Sequence, residues 1–373
     1  MLAKASGRAL PNAEPLALPL VYAAAAPVIK GITFAELTER FLSLPERAKT
    51  SETTKVSYRA TFRILIEVVG ADTVIDQITR TDCRRVQEIF TILPANCTKR
   101  FPGLSIIQVV EKAKKLGLKP MNPVSANTYI MRLSTLMGWA LREGLITHNP
   151  GQGLLLPVVE LEKDKRLPFT PAELGLIFNS PSMIQAQRSN AEAFWIPMLS
   201  LWTGARLNEL CQLLVSDIQL HNEIPCMMIS AGEGKRLKTN SSQRLIPLHP
   251  KLIELGFLDY VRGAAEQGSL RLFPHLRVCR KGSLSDKFSK EFARYLKKVG
   301  AKNDKNCFHS FRHNFRDALR QAGIERDIVQ ALGGWKDKSA GTEDTYGQGH
   351  TTQRLYSAIS KITYEGWGYE QEH

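Results

Sequence analysis

The sequence has no C-x-x-C pair and no cysteine or histidine spacing that would hold zinc. Its six cysteines, Cys83, Cys97, Cys211, Cys226, Cys279 and Cys307, are scattered, which argues against a disulfide framework and fits a reducing cytoplasm. The eight histidines form no H-E-x-x-H, so neither a metal nor any other cofactor is expected. No stretch approaches the roughly 18 uninterrupted apolar residues of a membrane span, so no membrane partner is expected, and no internal repeat is visible. Acid is in deficit: 36 Asp and Glu face 50 Lys and Arg, a net charge of +14. Such a balance favours a polyanionic partner, because each phosphate bound by Lys or Arg releases condensed counterions. The basic residues are spread through folded-looking sequence instead of forming one tail, which suits a long nucleic-acid groove.

Lys4 and Arg8 precede an apolar run from Leu16 to Ala26 that imitates a secretory signal. Pro11, Pro15 and Pro19 interrupt its approach, and residues 1–30 read as a disordered Ala/Pro/Leu-rich leader. Residues 31–148 carry helical signals. Thr33 with Glu36 makes a capping box, followed by helices over Ser51 to Val69 and Thr81 to Ile92. Pro94 and residues 97–103 break the pattern, and a long helix runs from Ser125 to Glu143 with Gly144 as its stop. Residues 149–168, rich in Pro and Gly and then in charge, read as a linker. Thr170, Pro171 and Glu173 cap the first helix of a second domain, residues 169–350. Cys226 to Ile229 and Arg244 to Pro247 read as strands around a Gly/Lys-rich connection. Helical patterning returns over Leu284 to Val299, Ser310 to Ala322 and Arg326 to Leu332, and in a tail helix within 351–373. The expected class is mainly α with a small antiparallel β-sheet.

Four segments carry candidate chemistry. Thr203-Gly204-Ala205-Arg206-Leu207-Asn208-Glu209 sets Arg206 at a helix start, where free N–H groups favour an anion and a guanidinium can hold two phosphate oxygens. Its plain alternative is a surface ion pair with Glu209. Lys238 lies between the two strands and can reach into a groove, with Lys235 and Arg236 as competitors. His309, Arg312, His313 and Arg316 recur at helical spacing beside a stripe of Phe308, Phe311, Phe315, Ala318 and Ala322, so the aromatics are expected inside and the basic groups facing a ligand. Imidazole there suits proton transfer near neutral pH. Last come Gly333-Gly334-Trp335 and then Tyr346, a phenol that needs nearby cations or a base to act as a nucleophile.

In this order the segments resemble the tyrosine recombinase or phage-type integrase family, whose pattern is T-G-x-R-x-x-E, a hairpin Lys, H-x-x-R, G-H or G-W, and a terminal Tyr. Arg206, Lys238, His309, Arg312, Trp335 and Tyr346 match it, with Glu209 as the supporting acid and His313 beside the H-x-x-R pair. The interval from Trp335 to Tyr346 is longer than usual, which makes Tyr356 a rival nucleophile; Tyr346 is preferred because Tyr356 sits within a helical pattern. No arm-binding domain of recognisable size precedes Thr33. The resemblance implies a core-binding domain and a catalytic domain clamped on double-stranded DNA, and a bacterial, DNA-associated enzyme. It also implies a homotetramer on paired sites, accessory DNA-bending proteins, and a tail helix offered to a neighbouring subunit or packed in cis. Site-specific strand transfer would pass through a 3′-phosphotyrosine without ATP or metal. A clamp without cleavage and a tyrosine-type topoisomerase are the alternatives.

Overall fold

The computed structural model describes residues 31–48, 50–158, 166–232, 234–237, 242–279, 282–335 and 350–368. The chain divides into two compact units at Val158/Val159, each with its own core. No helix among the described residues is long and apolar enough to cross a membrane.

The first unit is helical: α1 (Phe34–Leu42), α2 (Pro45–Ala48), α3 (Glu52–Val69), α4 (Arg80–Ile92), α5 (Cys97–Arg100), α6 (Ile106–Lys115) and α7 (Pro123–Arg142). Thr33 and Glu36 form the expected capping box on α1. Helix α6 lies in a stretch to which the sequence analysis assigns no element. Ser105 and Gln108 cap it reciprocally, and it buries Ile106, Val109, Val110 and Ala113 on one face. Residues 149–156, assigned above to the linker, pack on this unit instead. Leu154 is buried, Gln87 donates to its carbonyl at 2.6 Å, and the Asn127 amide clamps the Leu156 backbone at 2.7 and 2.9 Å.

The second unit contains α8 (Pro171–Phe178), α9 (Pro181–Ser189), α10 (Ala191–Thr203), α11 (Leu207–Cys211), α12 (Pro250–Glu254), α13 (Phe257–Glu266), α14 (Ser285–Lys298), α15 (Ser310–Gln321), α16 (Arg326–Gly333) and α17 (Thr352–Ile359). Its strands β1 (Ile218–His221), β2 (Ile224–Ile229) and β3 (Arg244–Pro247) form an antiparallel sheet in the order β1-β2-β3. The fold class is therefore mainly α with one small antiparallel sheet. Four-residue β1 escaped the sequence reading. Asn222 and Glu223, both at positive φ, make the two-residue turn that joins it to β2. Ile229 faces Arg244 across β2 and β3, so the connection carrying Lys238 leaves and returns at one end of the sheet.

Helix α15 runs through the core. Phe311 and Phe315 are fully buried, and Phe311 packs against Phe169, Phe178, Phe292 and Phe308 with ring centroids 4.8–5.6 Å apart. Asn314 fixes the helix further, donating to the Phe169 carbonyl at 2.7 Å and accepting from its N–H at 2.9 Å. Residues 350–368 of the tail pack in cis on the second unit. Leu355, Ala358, Ile359 and Ile362 are buried in the second unit, and the Tyr364 hydroxyl donates to Leu201 of α10 at 2.7 Å. His350 lies 3.4 Å from Asp327 of α16.

Candidate active site

Arg206 is the N-cap of α11, in extended conformation, and its N–H donates to Glu209 Oε2 at 2.9 Å. Its Nη1 donates to Glu209 Oε1 at 2.6 Å and to Ser242 Oγ at 3.1 Å. The ion pair with Glu209 that offered the plain reading thus exists, but Glu209 is buried and serves a second arginine. Arg244 Nη2 reaches its other oxygen at 3.0 Å. Burial alone would raise the Glu209 carboxyl; the Arg244 charge and the hydrogen bonds from Arg244 and Arg206 outweigh it and hold it below its ordinary value.

Arg244 was read from sequence only as a strand residue. Its side chain is 5% exposed, and besides Glu209 it binds the Leu332 carbonyl through Nε at 2.9 Å and the Ser242 carbonyl through Nη1 at 2.7 Å. A signal was present: alternation along β3 puts Arg244 on the face of buried Ile246, where a charge requires partners. Two of those partners, Glu209 and Leu332, are 35 and 88 positions away, which no local pattern discloses.

Arg312 departs from expectation. Instead of standing with the histidines on an open face of α15 it is 4% exposed. Its Nη1 donates to the Gly204 carbonyl at 2.6 Å and Nη2 to the Gly333 carbonyl at 2.5 Å. The Trp335 ring lies over it, 4.3 Å from Cζ to centroid. Gly333 is required for this packing, because a Cβ there would fall inside the Trp335 ring. Burial, and then the charges of Arg206 and Arg244, lower the Arg312 guanidinium to about 9. Cations that depress one another's protonation, opposed among the described residues by the Glu209 carboxylate, create a positive field suited to an anion.

His309, the N-cap of α15, is an exposed residue whose imidazole is nevertheless partly desolvated by the surrounding protein. That desolvation, then the charges of His313, Arg312, Arg206 and Arg166, lower it to about 4, so it is neutral at pH 7. His313 stands edge-to-face with it, centroids 5.4 Å apart, and is lowered by burial and then by Arg316. Lys235, one competitor for the hairpin lysine, is tied down by Asp217 at 2.6 Å and Ser230 at 2.9 Å. The backbone of Arg236 is clamped by Gln212 through bonds of 2.7 and 3.2 Å. Lys238 and Tyr346 lie outside the described residues. Tyr356 is on α17, half-buried against the core. Among the described residues no group of three His, Cys, Asp or Glu could hold a metal ion.

The structure therefore joins Gly204 to Glu209, Ser242 to Arg244, Arg312, and Leu332 to Trp335 in one hydrogen-bonded network. The phage integrase family matches residues 177–347. A tyrosine recombinase of Pseudothermotoga lettingae is 24% identical over 274 residues, covering 70% of this chain and 83% of its own. The fold resembles that of the Tn1549 transposon integrase in complex with circular intermediate DNA, with TM-score 0.58 and 19% identity over 88% of this chain and 99% of that one. It also resembles lambda integrase, solved as a tetramer bound to a Holliday junction, with TM-score 0.54 and 17% identity over 84% and 80% of the two chains. Residues 177–347 therefore carry a domain that matches the phage integrase family, on a fold similar to that of tyrosine integrases.

Proposed function

We propose that this chain cuts and rejoins double-stranded DNA at specific sites through a covalent 3′-phosphotyrosine at Tyr346. The observation that carries this reading is the network around Glu209, which holds Arg206 and Arg312 in one positive field beside neutral His309. Arg206 uses Nη1 for Glu209 and Ser242, leaving Nε and Nη2 for the non-bridging oxygens of a phosphate. Arg312, anchored by two carbonyls, supplies a charge that needs no reorganisation as the pentacoordinate phosphorus forms. His309 is in the protonation state to take the phenolic proton of Tyr346, with His313 beside it. The Tyr346 oxygen bonds to phosphorus as the bond to the 5′-oxygen breaks, and Lys238 gives that oxygen its proton. Trp335 packs the arginine side of the phosphate. One phosphodiester becomes one phosphotyrosyl ester, so ATP is not needed, and the reverse steps rejoin the strand. The helical unit of residues 31–158 would grip the duplex, and four protomers would act on two sites, as lambda integrase does on a Holliday junction.

The test is incubation with nicked suicide DNA carrying the native site. A covalent protein–DNA band is expected that survives EDTA, vanishes in Tyr346→Phe and persists in Tyr356→Phe. An adduct that mapped to Tyr356, or that needed magnesium, would overturn the assignment.

A further inference from the structure

A cleft of about 490 Å³ lies between α15 and α16, lined by Arg316, Arg320 and Arg326 together with Ile324, Val329 and Trp335. Among the described residues, three guanidinium groups and the Gln330 amide border it, and no carboxylate does. Among the described residues Arg320 pairs with Asp317, 4.0 Å away and itself exposed, a pairing too loose to neutralise it. Arg316 Nε is buried and has no hydrogen-bond partner among the described residues. A buried N–H left unmet is costly, so a site that keeps one calls for an acceptor.

The cleft adjoins the reaction centre. Trp335, whose ring covers Arg312, is also part of its wall. Arg316 is one helical turn beyond Arg312 on α15, an axial step of about 6 Å, comparable to the spacing of neighbouring phosphates along a DNA strand. His309, His313, Arg316 and Arg320 fall along one side of the helix, so a polar stripe leads from the attacked phosphate to two guanidinium groups at the cleft.

We propose that this cleft binds a second phosphodiester of the same DNA, adjacent to the one that is cleaved, with Arg316 and Arg320 as its ligands. The inference rests on the function proposed above and adds a subsite to it. A guanidinium fork matches the two non-bridging oxygens of a diester, and a strand held at two neighbouring phosphates has its register fixed before chemistry begins.

The experiment uses the full chain and duplexes in which one phosphate at a time, on either side of the scissile position, is replaced by a neutral methylphosphonate. Equilibrium binding is measured over a range of salt. For wild type, one neighbouring position should weaken binding about tenfold, the loss of one charge-assisted contact. Arg316→Gln should bind unmodified DNA about tenfold more weakly, with a salt slope shallower by about 1. It should lose nothing more at that one neutral position. Arg320 is exposed, so Arg320→Gln should fold normally and show the same position-specific silencing to a smaller degree. Undiminished sensitivity of both variants at every position would overturn the proposal. So would silencing by an abasic site instead of a neutral phosphate, which would make the cleft a base pocket. Absence of a covalent adduct with wild type would count against the proposed function, while the binding scan would still decide the cleft.

Discussion

The Arg312 guanidinium donates to the Gly204 carbonyl at 2.6 Å, across 108 positions of sequence. This bond ties α15 to the turn that launches Arg206, so the two arginines proposed to hold one phosphate are set relative to each other by a backbone atom and not by flexible side chains. Gly204 can serve there because it has no Cβ. Its φ is +63°, and a Cβ would lie 2.3 Å from the Phe315 ring.

Gly204→Ala should therefore be expensive. Left-handed backbone costs an alanine about 1–2 kcal/mol and forced overpacking about 1–3 kcal/mol. Urea unfolding is expected to show a loss of about 2–4 kcal/mol, with DNA adduct formation falling more steeply than DNA binding. A variant as stable as wild type would show that the turn relaxes freely and does not set the arginine geometry.

Glu209→Ala removes the one carboxylate that two arginines share. It leaves Arg244 buried without its counter-charge, a loss of about 3–5 kcal/mol for a buried pair broken on one side. The pH dependence has a definite sign. Because the folded Glu209 carboxyl is held below its ordinary value of about 4.3, its contribution is complete above that pH and disappears as pH falls through the lower folded value. Acid unfolding of wild type and Glu209→Ala should converge at low pH and separate above about 4.3. Curves that ran parallel down to pH 2 would mean that the carboxylate is not coupled to folding.

His309 should titrate near 4 in the DNA-free protein, visible in its imidazole proton resonances. The sign follows from the lowered folded value: the neutral ring is favoured on folding, so this contribution is whole above the ordinary histidine value of about 6.5 and is lost as pH falls toward 4. Desolvation precedes charge among the causes, so Arg206→Ala should raise the value only partway. A phosphate bound beside the ring should raise it further, so that binding DNA near pH 5 takes up protons. A midpoint at 6.5 in wild type would remove the case for His309 as a proton acceptor.

What the sequence disclosed and what it withheld divide along the range of the interactions. Caps at Thr33 and Thr170, the aromatic stripe of Phe308, Phe311 and Phe315, and the β2–β3 pairing depend on residues close together or on a simple period, and each was legible. Helix α6 was legible in principle from Ser105 and Gln108, but the break over residues 97–103 stopped the reading short. Arg244 and the burial of Arg312 were not legible, since both depend on carbonyls delivered from α16 and from the Gly204 turn. Helical spacing placed Arg312 beside His309 correctly but could not say which of the two would be covered by Trp335.

Residues 350–368 are part of the second unit's own interior. Because Ile359 and Ile362 fill the interior and the Trp367 indole meets Trp202 at 5.2 Å, shortening the protein from residue 350 onward would unseat the hydrophobic packing of its own second unit. Inactivity in such a truncation would report a damaged scaffold and not a lost handshake between subunits, so dissecting assembly calls for surface substitutions that leave this end intact.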